Sequence, residues 1–285
     1  MPLLAHWEHD LSPFIIRIWG DWGIRWYGTA YLVGILLSLW FLLRWQKQRR
    51  LPLTRGEVVD FLIIIALSMM VGGRLGYCLF YASDRFFTDP LLFFRLMEGG
   101  MASHGGIIGI LTGVFVYGRV KSRDPFVLID ALGATAGMGI AAGRIANFIN
   151  GELWGRPSNV PWAVIFPAAP DVDGVNVPRH PSQLYAAGME GLTVLVLAMV
   201  VHKYHRRPGL TAGTVLVSYS VMRFIDEFWR EPDIGHNLVF GWMSKGQSFS
   251  LPVLLIGLGF FAYALSRPPK PQAYEPPEVE TDNKS

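Results

Sequence analysis

Tyr219, Arg223, Glu227 and Arg230 follow one another at spacings of four, four and three. On a helix that spacing sets all four on one face. A second polar group closes another apolar run: Arg144 and Asn147, with Asn150 and Glu152 just beyond. Arg74 interrupts a third run, and His104 stands directly ahead of Gly105-Gly106. A guanidinium is a planar fork that grips carboxylate or phosphate oxygens two at a time. The arginines here outnumber the two carboxylates read at the same depth, Glu152 and Glu227. That surplus suits an anionic ligand such as a phosphodiester. Glycines after His104 would let such a ligand approach a helix N-terminus.

The elements that must position these residues are apolar runs. Hydrophobic residues make up 51% of the 285-residue chain and charged residues 16%, with mean hydropathy +0.32. A soluble domain carries about 25% charged residues. Seven runs read as membrane-spanning helices: Tyr27–Leu43, Val58–Tyr81, Ile107–Val120, Val127–Phe148, Leu184–His202, Leu210–Phe228 and Phe249–Leu265. The third is short and is expected to begin near His104. Basic residues follow every odd-numbered run: Arg44, Lys47, Arg49, Arg50 and Arg55; Arg119, Lys121 and Arg123; Lys203, Arg206 and Arg207; Arg267 and Lys270. Positive charge stays on the cytoplasmic side, so the N-terminus is expected outside and the C-terminus inside.

The expected fold is therefore all-α, a polytopic membrane protein of seven transmembrane helices with a small external cap. Residues 1–267 form a single membrane domain, with the cap at about 150–183, and a disordered cytoplasmic tail covers 268–285. Gly105, Gly109 and Gly113, and Gly133, Gly137, Gly139 and Gly143, allow close helix packing. Depth follows from direction. Tyr27, Arg74, His104, Arg144, Asn147, Tyr219, Arg223 and Glu227 are all expected in the outer membrane half. Each arginine at a helix centre costs about 2.5–3.5 kcal/mol on insertion scales, so such a group needs partners, water or a ligand.

Plainer roles are open for each residue. Arg223 and Glu227 could be a structural ion pair, and Arg74 a staple between helices. His104 could be an ordinary interfacial histidine, and Trp22, Trp26 and Tyr27 an aromatic belt. The single cysteine, Cys78, lies in an apolar run and reads as a small packed residue. The seven histidines are scattered, so no metal is expected. Nothing calls for a cofactor, and the basic residues mark topology rather than a nucleic-acid patch. Residues 1–25 lack the pattern of a cleavable signal peptide. A transporter or binding protein for anionic lipid headgroups is the alternative class. It would normally place its polar site at the midplane, with access to both faces.

Particular segments narrow this further. His104-Gly105-Gly106-Ile107-Ile108-Gly109 and the run Gly143 to Arg156 (GRIANFINGELWGR) resemble the signature segments of prolipoprotein diacylglyceryl transferases. So do Gly72-Gly73-Arg74-Leu75-Gly76-Tyr77, Arg179 to Tyr185, and Arg223 to Asp233. The resemblance covers Trp26 to Leu265. Ala146 stands where the family usually has Gly, a small-for-small change.

The resemblance implies transfer of the diacylglyceryl group of phosphatidylglycerol to the lipobox cysteine thiol of a preprolipoprotein signal peptide, releasing glycerol phosphate. It places this at the outer face of the bacterial inner membrane, with the N-terminus periplasmic and the C-terminus cytoplasmic. Arg144 and Arg223 are then candidates for stabilising the departing phosphate, and His104 for the base that accepts the thiol proton. Tyr27, Asn147 and Glu152 fall on family functional positions and would orient the headgroup. Arg74, Asn150, Gly155, Tyr219, Glu227 and Arg230 complete the expected substrate site, with Glu227 fixing a guanidinium.

Overall fold

The computed structural model describes residues 6–20, 22–95, 99–232, 242–270 and 273–275, without the side chains of 103 and 104. Each of the seven apolar runs falls on a helix. These are α1 (Trp26–Lys47), α2 (Arg55–Phe80), α4 (Ser103–Val120), α5 (Pro125–Ile149), the continuous stretch Ser182–Tyr204, α8 (Leu210–Asp226) and α9 (Lys245–Ser266). Five of them are long and apolar enough to cross a membrane. The apolar part of α4, Gly105–Val120, is shorter, and α8 has 17 residues. Their outward faces are apolar: Leu32, Leu36, Leu67, Val71, Val196 and Leu255 are all exposed. That inverts the pattern of a water-soluble bundle.

The ends of the helices follow from local chemistry. Thr54 and Glu57 form a capping box at the start of α2, and Ser244 and Gln247 form another at the start of α9. Gly209 at φ +89° allows the turn into α8. The stretch Ser182–Tyr204 is not uniform. It opens as α6 (Ser182–Ala186), widens to a π-helix over Ala187–Thr193, and resumes as α7 (Val194–Tyr204).

The chain divides into two compact units. The first comprises Met1–Ser38 and Leu132–Lys270, the second Leu39–Ala131 and Pro271–Ser285. In the second, α2 and α4 pack backbone to backbone. A Cβ on Gly72 would come 2.8 Å from the Gly109 Cα, and one on Gly76 2.9 Å from the Gly105 Cα. The glycine spacing read in α4 thus has its partner in α2. The short helix α3 (Ser83–Thr88) and a 3-10 turn, Pro90–Phe94, follow α2. In the first unit only one of the α5 glycines is forced by packing: a Cβ on Gly137 would come 2.6 Å from the Gly191 carbonyl.

The expectation of an all-α chain needs one correction. Strand β1 (Trp7–Glu8) pairs in parallel with β4 (Val164–Ile165), which pairs antiparallel with β5 (Pro178–Arg179). This sheet ties the N-terminal segment to the cap. Val164, Phe166 and Ala169 form its core, with Phe148 and Trp154 packed against it. His9 closes the joint, its Nε2 2.7 Å from the Phe148 carbonyl oxygen. A hairpin of β2 (Phe14–Trp19) and β3 (Trp22–Arg25) leads directly into α1. Strands of two residues are held by main-chain bonds and carry no period-two signal, so composition concealed them. The tail expected to be disordered lies mostly outside the described residues; within it the Lys270 amide donates to the Arg206 carbonyl.

Candidate active site

Helix α5 ends in a reversal. The Asn150, Gly151 and Glu152 amides donate to the carbonyls of Ala146, Phe148 and Asn147. Gly151 and Leu153 both take positive φ, 66° and 58°. The turn carries Glu152 back along the helix, where its Oε1 accepts from Asn147 Nδ2 at 2.7 Å. The Tyr27 hydroxyl is 3.5 Å from the same nitrogen. Gln183 Nε2 donates to the Glu152 carbonyl and Ser182 Oγ to the Leu153 carbonyl, so the start of α6 pins the turn. Asn150 sits in this turn with a buried Oδ1 that has no partner among the described residues.

Beyond that pin, the π-helical stretch carries Glu190, which is 0% exposed. Arg144 donates to its Oε2 from both Nε, at 3.1 Å, and Nη2, at 2.6 Å. Arg223, from α8, donates through Nη1 to Oε1 at 3.2 Å. One carboxylate therefore joins two guanidiniums from two helices. The same Nη1 lies 3.4 Å from Asp226 Oδ2, and Nη2 pairs with Glu227 Oε1. Glu227 also accepts from Ser244 Oγ at 2.6 Å. The Tyr219 hydroxyl lies beside Arg144, Arg223 and Glu190. Tyr31, its ring tilted against that of Tyr27 at 5.3 Å, lies within electrostatic reach of Arg144 and Glu152.

The first unit thus holds ten of the expected residues: Tyr27, Arg144, Asn147, Asn150, Glu152, Gly155, Tyr219, Arg223, Glu227 and Arg230. Two readings change. Arg230 is not on the helix, since α8 ends at Asp226; it forms an isolated bridge with Gly155 and reaches Glu227 Oε1 at 3.9 Å. Gly155 is a close-packing position, because a Cβ there would come 2.6 Å from the His180 Cβ and 2.7 Å from the Trp229 carbonyl oxygen. The charge balance changes as well. Arg144, Arg223 and Arg230 meet Glu190, Asp226 and Glu227, three cations against three carboxylates. The surplus of arginines disappears because Glu190 and Asp226 were left out of the count.

Arg74 belongs to the second unit and is 1% exposed. Its Nε donates to the Phe93 carbonyl, Nη1 to those of Gly99 and Gly100, and Nη2 to those of Leu92 and Arg95. All five of its N–H groups therefore have backbone acceptors. That is the staple role, applied to the loop after α3. His104 lies in the first turn of α4, and its side chain is outside the described residues. Among the described residues no cluster of His, Cys, Asp or Glu could hold a metal ion.

Outside the spans, burial pushes the His180 imidazole below its ordinary range. Its Nδ1 is 3.2 Å from the Tyr185 hydroxyl, which in turn accepts from Trp162 Nε1 at 2.6 Å. This group braces the cap where it meets α6.

Comparison with known proteins gives one consistent answer. The sequence profile described as prolipoprotein diacylglyceryl transferase matches residues 13–263. A phosphatidylglycerol–prolipoprotein diacylglyceryl transferase of Methylococcus capsulatus is 45% identical over 252 residues, covering 87% of this chain and 94% of its own. The protein of that name from Cupriavidus pinatubonensis is 40% identical over 93% of this chain and 95% of its own. The one from Pseudomonas fluorescens is 41% identical over 91% and 95%.

Proposed function

This chain belongs to the prolipoprotein diacylglyceryl transferase family, and from that premise we propose that it moves the diacylglyceryl group of phosphatidylglycerol onto the lipobox cysteine thiol of a preprolipoprotein signal peptide. A C–S bond forms at the glyceryl carbon as the C–O bond to phosphate breaks. The thiol proton passes to a base, and glycerol phosphate leaves carrying one more negative charge than the diester had.

The observation that carries this reading is the pair of guanidiniums, Arg144 and Arg223, fixed on one buried carboxylate in a chain of this family. Developing charge on the leaving phosphate needs donors already in place, which water would otherwise have to reorganise to supply. Arg144 meets Glu190 through its Nε–Nη2 edge, which leaves its Nη1 end toward other partners. Tyr27, Asn147 and Glu152 form a neutral-to-anionic group suited to the glycerol hydroxyls of the headgroup. Tyr219, Glu227 and Arg230 support the clamp, and Asn150, with its unpartnered oxygen, offers an acceptor at the same turn.

His104 is the base in this scheme. Its imidazole type suits a thiol of ordinary pKa about 8.5. Arg74 is assigned to holding residues 92–95 and 99–100 rather than to the headgroup, because its donors have backbone partners there. The seven helices cross the bacterial inner membrane as one domain. The N-terminus and cap lie on the periplasmic side, and the tail from Pro268 lies in the cytoplasm.

The test is transfer from labelled phosphatidylglycerol to a lipobox peptide by the purified full-length protein. Phosphatidylethanolamine serves as the competing donor. Transfer from phosphatidylglycerol with release of glycerol phosphate supports the reading; binding of lipid without release contradicts it.

A further inference from the structure

We propose that Glu190 is a positioning residue of this site: it locks Arg144 and Arg223 into one anion clamp and, as their counterion, restrains their grip on the headgroup until charge builds on the leaving phosphate. The proposal rests on the transferase reading above.

Three observations carry it. Glu190 is fully buried, and both its oxygens are engaged, Oε2 by Arg144 and Oε1 by Arg223. It is carried on a π-helical stretch, an irregularity seen mostly at functional positions. That stretch is held tightly against α5: a Cβ on Gly191 would come 2.6 Å from the Ala141 Cα, and one on Gly137 2.7 Å from the Leu195 amide nitrogen. Register between the two helices is therefore fixed immediately beyond the carboxylate.

The two arginines do not depend on Glu190 equally. Arg223 has Asp226 and Glu227 as further partners. Among the described residues, Glu190 is the carboxylate that pairs with Arg144. Without Glu190, Arg144 keeps its charge but loses the group that aims its fork. Removing one partner of a buried pair leaves the other uncompensated. The counterion also has a kinetic sense. Arginines already neutralised hold a singly charged diester weakly, yet respond strongly to the additional charge of the departing monoester. Interactions that strengthen only in the transition state raise kcat rather than lowering KM.

The experiment uses the full-length protein in detergent with phosphatidylglycerol and a lipobox peptide. Glu190→Gln keeps the shape and removes the charge. Its kcat is expected to fall at least about tenfold, while KM for phosphatidylglycerol stays level or falls. Glu190→Asp keeps the charge, so it is expected to insert and fold, but it is one methylene too short to reach both forks. Its kcat is expected to fall with KM within about threefold of wild type. Size exclusion and thermal unfolding check that each variant is folded. Wild-type kcat in either folded variant overturns the proposal, as does a raised KM at unchanged kcat. An inactive wild type overturns the transferase reading itself, which keeps the two failures apart.

Discussion

Arg144 and Arg223 arise on helices far apart in sequence, yet their forks meet on the two oxygens of Glu190. Replacing either arginine by Gln removes donors aimed at developing charge. Transfer is expected to fall by about 100-fold or more, read as single-turnover release of glycerol phosphate from folded enzyme. If His104 is the base, wild-type rates rise with pH through the ordinary imidazole range, since only the neutral ring accepts the thiol proton. In His104→Gln that rise is expected to disappear; a variant that retains both rate and pH profile removes His104 from the role. Gly246 is a further checkpoint, because a Cβ there would come 2.8 Å from Arg223 Nη2 and against Glu227. Gly246→Ala is expected to weaken transfer while leaving the helices intact by circular dichroism. At this scale the sequence showed the arginines and one of their partners, Glu227, but not Glu190 or Asp226. Glu190 is a lone acid in the apolar run Gly188-Met189-Glu190-Gly191-Leu192, a signal as strong as that of Arg74. Asp226, three residues from Arg223, shares its face and was just as visible.

Helices were the legible elements. Apolar runs near twenty residues long have few alternatives to a helix, because every backbone group must be satisfied internally in lipid. The π-helical stretch was not legible, since it depends on how α5 and α6 fit rather than on composition. The two-residue strands β1, β4 and β5 were equally hidden. The loop after α3 shows what one buried side chain can do for an irregular segment. Arg74 satisfies five carbonyls there, and a lysine ammonium has three donors. Arg74→Lys is therefore expected to leave carbonyls unpaired and to loosen the backbone at residues 92–95 and 99–100. Faster limited proteolysis in that loop, with α2 still protected, is the expected result; unchanged cleavage would show that the staple is dispensable.

For the whole molecule, the proposed orientation rests on the basic segments and is open to a direct check. Cys78 is buried, so an added thiol has little background. A cysteine at Ser158, in the cap, is expected to react with a membrane-impermeant maleimide in intact cells. One at Ser122, in the basic segment after α4, is expected to react only after lysis, and the reverse pattern would invert the topology. The charge surplus that first suggested an anionic ligand did not survive the structure, where three carboxylates balance three arginines. Family membership carries the phosphate chemistry instead, and the balanced cluster explains how arginines are tolerated among apolar helices. The central claim is tested most directly by following thioether formation on a lipobox peptide and glycerol phosphate release together, with phosphatidylglycerol doubly labelled in its acyl and headgroup parts. One glycerol phosphate released per diacylglyceryl group transferred, lost together in Arg144→Gln, is the predicted result. Transfer that persists in the folded Arg144→Gln variant, or acyl label reaching the peptide without headgroup release, would contradict it.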